Sequence, residues 1–154
     1  MLFICAAGNA HRNLESNPIY PASFQLDNII SVAAADENKN LSYFSNYGDS
    51  SVDIAVQGSG IESAWNSGTR HAMRGTSVAA GVVTGAVAEY GKTHGLSFAR
   101  DAILDSADML SCLAPYVSSG RYLNTEKLIQ GLPGEQLEVP VIPDEQHQAT
   151  PVEN

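Results

Sequence analysis

A serine at the start of a long apolar run is the residue of this 154-residue chain whose setting best suits chemistry. Arg74-Gly75-Thr76-Ser77-Val78-Ala79-Ala80-Gly81 is a polar turn followed at once by small and apolar residues, which predicts a helix beginning at Ser77. The N–H groups of a first helical turn lack intrahelical partners, so negative charge developing beside Ser77 would meet free donors and the positive end of the helix dipole. Taken alone, the same serine reads as a plain N-cap, the commoner role. The second feature is Ala6-Ala7-Gly8-Asn9, where an apolar strand stops at Gly and then Asn. Ligands of a parallel sheet gather beyond the carboxyl ends of its strands, so the Asn9 amide is expected to face an oxyanion formed above Ser77. Taken alone, Asn9 is an ordinary turn residue.

A serine hydroxyl becomes a nucleophile only beside a proton acceptor. His94 lies 17 positions after Ser77, about 25 Å along a continuous helix. His71 is six positions before Ser77, and Asp53, His71 and Ser77 reproduce a triad order. Residues 70–74 read as an extended lead-in, which sets His71 about 15–20 Å away. His11 and His147 fall in a loop and near the C-terminus, where solvated or structural roles suit them better.

The elements around these residues read as α/β. Met1 to Ala7 and Ile29 to Ala35 are nearly continuous apolar runs, the pattern of strands covered on both faces in a parallel sheet. Val52 to Val56 alternates with period two and ends in the turn Gly58-Ser59-Gly60. Ser77 to about Tyr90 is apolar on every face, which predicts a helix inside the core, with Gly81 and Gly85 one turn apart. A peripheral helix is expected from Ser97 to about Leu110 with Ser97 as its cap, and a short one after Asn124 through Ile129. Four of the seven prolines and no Lys or Arg fall in the last 23 residues, so 132–154 is expected to be a tail or linker outside a domain of residues 1–131.

Composition narrows the function classes. Hydrophobic residues make up 44% of the chain and charged ones 16%, enough for a buried core and one domain. A net charge of −9 argues against nucleic acid as a partner, because an acidic field repels phosphates. No apolar run approaches the roughly 20 residues of a membrane-spanning helix. Met1 to Ala7 has no basic leader and stands at the lower limit of the ~7–15 residues of an export core, so it reads as a strand. Cys5 and Cys112 are 107 positions apart, a spacing that fits no metal-ligand pattern and leaves a disulfide open.

With these pieces in register, the sequence resembles the subtilisin-like serine peptidases, the subtilases. Gly75-Thr76-Ser77-Val78-Ala79 is similar to the family's Gly-Thr-Ser-x-Ala around the nucleophile, and Ala6-Ala7-Gly8-Asn9 to the strand that ends in its oxyanion Asn. Tyr20-Pro21-Ala22-Ser23 resembles the segment beside the substrate pocket, Ile30-Ser31-Val32-Ala33-Ala34 the strand after it, and Gly120-Arg121-Tyr122-Leu123-Asn124 the closing Gly-x-x-x-Asn turn. Order and spacing hold from Met1 to about Gly131, the C-terminal half of a catalytic domain.

The resemblance implies a three-layer α/β fold, a parallel sheet with helices on both faces, of which this chain holds the later strands, the nucleophile helix and the closing helices. It implies that Ser77 attacks the scissile carbonyl while its own N–H and the Asn9 amide hold the oxyanion. Ala6, Ala7 and Gly8 would wall the primary specificity pocket, with Gly75 and Thr76 beside it and Ile19 near its base, where relatives often have Gly. A bulky Ile there would favour small or medium side chains before the cleaved bond.

Two departures bear on function. Relatives usually continue the Ser motif with Pro-His, where this chain has Gly81-Val82. The family's triad runs Asp, His, Ser, and neither an Asp-Ser/Thr-Gly nor a His-Gly-Thr segment occurs here. The expectation is therefore a serine endopeptidase fragment acting on peptides or proteins, inactive alone and completed by a missing N-terminal half. The alternatives are a non-catalytic remnant that works as a binding module and a separate serine hydrolase using His71. No cofactor is required by this chemistry. Relatives often bind structural calcium, but no carboxylate cluster is dense enough to name ligands. Family resemblance implies a secreted or periplasmic location.

Overall fold

The computed structural model describes residues 1–137. Along the chain run β1 (Phe3–Ala6), β2 (Ile29–Ala35), β3 (Ile54–Gln57), β4 (Ile61–Ala64), β5 (Arg70–Met73), α1 (Thr76–His94), α2 (Ala99–Asp105), β6 (Asp108–Leu110), β7 (Arg121–Tyr122), α3 (Thr125–Gln130) and β8 (Gln136–Leu137). Six strands form one sheet in the order β1-β2-β3-β7-β6-β8, and β4 and β5 make a separate antiparallel hairpin. β1, β2, β3 and β7 are parallel, while β6 runs antiparallel to β7, so the sheet is mixed rather than wholly parallel.

The apolar run of β2 is buried at all seven positions because it is central and covered on both faces. Its alternate side chains feed two cores. Ile30, Val32 and Ala34 join Ile54 and Val56 of β3 against Ala79, Val83, Ala86 and Val87 of α1, with Ile103 of α2 and Leu128 of α3 behind. Ala33, Ala35 and Ala55 face Leu14, Leu41, Leu113 and Val117 from loops and a short 3-10 turn. The α/β arrangement thus has three layers, with helices on one face and, among the described residues, loops and turns on the other.

β1 is an edge strand, and Phe3 on it is half exposed, since only β2 pairs with it among the described residues. The long helix differs from its expected burial on every face. One face of α1 packs on β1, β2 and β3, whereas Ser77, Gly81, Thr84, Gly85 and Ala88 form an exposed stripe, because no described residue covers them. Gly81 and Gly85 have open space where a side chain would project.

Other expectations shift. The helix expected over 97–110 is only Ala99–Asp105, Phe98 rather than Ser97 stands at its N-cap, and Leu110 lies in β6. The chain leaves the helix there because the buried Asp108 carboxylate binds Lys127 Nζ at 2.8 Å, Asn124 Nδ2 at 3.0 Å and the Glu135 N–H at 2.8 Å, which commits residues 108–110 to the sheet. Beyond Gly131 the chain continues along the same network, with Gly134 N–H donating to Asp105 O, Met109 N–H to Glu135 O, and β8 pairing β6. The rest of the expected tail lies outside the described residues. The helix after Asn124 forms as expected, with Asn124 capping the Lys127 N–H and Gly131 ending it in the left-handed region.

Candidate active site

The geometry around Ser77 starts from two glycines. Gly58 follows β3, and its N–H bonds to Ala35 O while its carbonyl accepts from Gly75 N–H at 2.8 Å. A side chain at Gly58 would run into Ala34 Cβ, Gly75 O at 3.0 Å and Ala79 Cβ at 3.1 Å, so a glycine is what lets the start of α1 sit on the carboxyl end of β3. Gly75, with φ of 144°, is the N-cap of α1 and makes no side-chain cap bond. Ser77 is therefore the second residue of the helix and not its cap. It is exposed, and neither its hydroxyl nor its N–H has a hydrogen-bond partner among the described residues.

Asn9 comes to the same place from the end of β1. Its Oδ1 accepts from the Thr76 N–H at 2.8 Å and from Thr76 Oγ1 at 2.9 Å, while Thr76 Oγ1 accepts from the Gly8 N–H at 3.0 Å. Because Oδ1 takes both donors, the Nδ2 end of the amide has no partner among the described residues and lies beside Gly75, where a side-chain carbon would come within 3.4 Å of it. Among the described residues two donors thus have no partner, the Ser77 N–H at the head of α1 and Asn9 Nδ2 beside Gly75, and Ser77 itself is exposed.

The expected pocket residues surround this point. Ala7 is buried, Ala6 and Gly8 are half-buried, and Ile19 Cδ1 lies 3.4 Å from where a Gly8 side chain would begin. Thr76 is buried and Gly75 lies against Asn9. Sequence reading missed Asn46, a fully buried residue whose side chain binds the backbone of the 7–12 loop. Its signal was a lone amide set among the aromatic residues of Tyr43-Phe44-Ser45-Asn46-Tyr47, with no charged neighbour in sequence to satisfy it.

The substitute triad does not assemble. Asp53 precedes β3, at the opposite end of that strand from Gly58 and Ser77, where it accepts from the Ser31 N–H at 2.7 Å and pairs with Arg100 at 3.0 Å. Burial pushes its carboxyl above the ordinary range against the opposing pull of Ser31 and Arg100. His71 sits on β5 opposite Ser63, its ring packed 5.4 Å from that of Trp65. His94 ends α1, stacked on Tyr90 at 4.4 Å. His11 lies in the loop with its ring 5.5 Å from that of Tyr47, and His147 is outside the described residues.

Cys5 and Cys112 are both free thiols, each raised in pKa chiefly by burial. Among the described residues no group of three or more His, Cys, Asp or Glu comes together that could hold a metal ion, and no helix is long and apolar enough to cross a membrane.

Comparison with known proteins gives a consistent set of relatives. The subtilase family description matches residues 1–107. Thermitase of Thermoactinomyces vulgaris is 40% identical over 131 residues, which is 82% of this chain and 43% of thermitase. Halolysin of Haloferax mediterranei is 33% identical over 123 residues, 78% of this chain and 22% of halolysin. Among solved structures, the A-subunit of the AB5 toxin from E. coli superposes with a TM-score of 0.72 at 26% identity, covering 84% of this chain and 50% of that one. The chain therefore spans less than half the length of these curated relatives.

Proposed function

The chain belongs to the subtilase family, and on that premise we propose that it is the nucleophile-bearing part of a serine endopeptidase catalytic domain. The observation that carries the reading is the pair of donors without a partner among the described residues, the Ser77 N–H at the head of α1 and Asn9 Nδ2 beside Gly75, together with the exposure of Ser77. In this reading the Ser77 oxygen attacks the scissile carbonyl of a peptide or protein and its proton passes to a histidine. The carbonyl oxygen, now an anion, is held by the two donors, which cost no reorganisation when the charge develops. Collapse of the tetrahedral species breaks the C–N bond, the histidine protonates the leaving amine, and water then releases the acyl group. This acyl transfer uses no metal or organic cofactor.

The histidine and its aspartate would come from a preceding segment of the same domain. The exposed stripe of α1, the unpaired edge of β1 and a groove of about 600 Å³ lined by Leu2, Ile4, Val87, Ala88 and Leu96 are surfaces such a segment would cover. The domain portion held here would run through 137 rather than 131. Ala6, Ala7, Gly8, Ile19, Gly75 and Thr76 would line the substrate pocket. Export to the cell exterior or periplasm is proposed from the family resemblance; one relative, from Natrialba magadii, is named an extracellular serine protease.

The non-catalytic alternative rests on Gly81-Val82, which stand in place of the Pro-His that usually follows the Ser motif. The two readings separate in one experiment. The chain is joined to its upstream coding sequence, peptide hydrolysis is assayed, and Ser77→Ala serves as control. Hydrolysis abolished by S77A supports the peptidase, while a folded joined protein without hydrolysis supports the binding module.

A further inference from the structure

Asn46 is a fully buried polar residue whose contacts the proposed chemistry does not use. Its Nδ2 donates to Ala7 O at 2.9 Å, its Oδ1 accepts from the N–H groups of Ala10 and Arg12 at 3.0 Å each, and its own N–H donates to Gly8 O at 2.8 Å. These bonds fall on both sides of Asn9, two before it and two after. We propose that Asn46 is a positioning residue for catalysis, which holds the 7–12 loop so that Asn9 presents its amide beside Ser77. The inference rests on the assignment of Asn9 to the oxyanion site.

Asn9 is exposed, and its side chain binds Thr76 alone among the described residues, so its placement depends on the backbone that carries it. A donor aimed at a developing charge must be held to about 0.5 Å, and a 1 Å error costs about 10²-fold in rate. Asn46 fits this task chemically because one amide offers a donor to Ala7 O and an acceptor to two N–H groups. Gly8, with φ of 107°, has no side chain, and one added there would run into Asn46 Nδ2, so the amide lies directly against the loop. An aspartate at 46 would keep the acceptors but turn a carboxylate towards the Ala7 carbonyl at neutral pH. Protonated, it would donate to that carbonyl again.

Two measurements test this. Hydrogen exchange on the 154-residue chain follows individual amides in wild type, Asn46→Asp and Asn46→Ser. In wild type the Ala10 and Arg12 amides are expected to be protected and the Asn9 amide to exchange fast. Protection at 10 and 12 should persist in N46D, whose carboxylate still accepts from both amides, and fall about tenfold or more in N46S, where a buried donor is left unpaired. In the second measurement, kinetics of the chain joined to its upstream segment, N46D should lower kcat about 10- to 100-fold, but less than about threefold when Asn9 is already Ala. Equal losses in both backgrounds, or wild-type Ala10 and Arg12 amides that exchange as fast as Asn9, would overturn the proposal. A folded, joined wild type that cleaves nothing would remove the peptidase reading, and the exchange data would still decide whether Asn46 holds the loop.

Discussion

The Asn9 side-chain oxygen accepts two hydrogen bonds from Thr76, one from its N–H at 2.8 Å and one from its Oγ1 at 2.9 Å. Asn9 is carried by the end of β1 and Thr76 by the first turn of α1, 67 positions apart in sequence, so this contact joins the strand end to the helix head. It also decides which end of the amide faces away from Thr76, leaving the nitrogen as donor.

Thr76→Val removes one of those two bonds and the acceptor for Gly8 N–H while preserving side-chain shape. In the joined enzyme kcat should fall about tenfold, the scale of one hydrogen bond with its partner left behind. Asn9→Ala should cost more, on the order of 10²–10³, the magnitude known for subtilisin itself. Steady-state kinetics on a peptide substrate checks the ranking, and T76V costing more than N9A would contradict it.

Ile19 lies against Gly8 with its Cδ1 toward the strand end, where it narrows the proposed pocket. Ile19→Gly should deepen that pocket, raising kcat/KM for Phe or Tyr before the cleaved bond relative to Ala. The relative gain should be about 10-fold or more, since each methylene accommodated is worth about 1–3 kcal/mol. Cleavage of a peptide library by wild type and I19G measures the change, and a wild type that already prefers Phe or Tyr would contradict the assignment.

Gly58→Ala should destabilise the chain by about 1–3 kcal/mol, the usual cost of forcing a methyl into a packed contact. The new carbon would press on the β2 side chain of Ala34 and on Gly75 O and Ala79 of the helix start. Urea unfolding reads the loss. Because the same contact sets α1 on β3, the joined G58A enzyme should also lose kcat.

The Asp108–Lys127 pair sets a pH window. Burial pushes the Asp108 carboxyl up, but hydrogen bonds from Lys127, Asn124 and the Glu135 N–H outweigh it and hold the group below the ordinary carboxylate range. The bond to Asp108 first, and then that to Glu135, hold the Lys127 ammonium above its ordinary value. Stability from Asp108 is full above an unfolded pKa of about 3.9 and is lost as pH falls through the lower folded value. Stability from Lys127 is full below about 10.4 and is lost as pH rises through the higher folded value. The stability gap between wild type and Asp108→Asn should therefore be flat near neutrality and narrow in acid. Denaturant melts across pH check it, and a gap that widens in acid would contradict it.

What the sequence disclosed follows signal strength. The seven-residue apolar run of β2, the Gly-Thr-Ser turn and the Asn124–Gly131 helix carry patterning or caps dense enough to read. β6, β7 and β8 are two or three residues long, too short for any period, and exist because Asp108 and its partners gather the chain there. In the β4–β5 hairpin, Ile-Glu-Ser-Ala and Arg-His-Ala-Met do not alternate apolar with polar, so the sequence carries no period-two signal there. The helix read as buried on every face is apolar enough for that, yet the cover over its Gly81–Gly85 side is absent from the described residues. Ser77 and Asn9 could be paired because each sits at an element end with its own signal. Asn46 could not, since its role exists only through bonds to residues 34 to 39 positions away.

The central claim, that Ser77 is a nucleophile facing an oxyanion site shared with Asn9, is tested most directly by a fluorophosphonate probe, with the labelled residue mapped by peptide mass. Joined to a preceding segment that bears the proposed Asp and His, the chain should label at Ser77, at a rate reduced by Asn9→Ala, while the 154-residue chain alone should label far more slowly. A folded, joined protein that stays unlabelled, or that labels at another serine, would contradict the account.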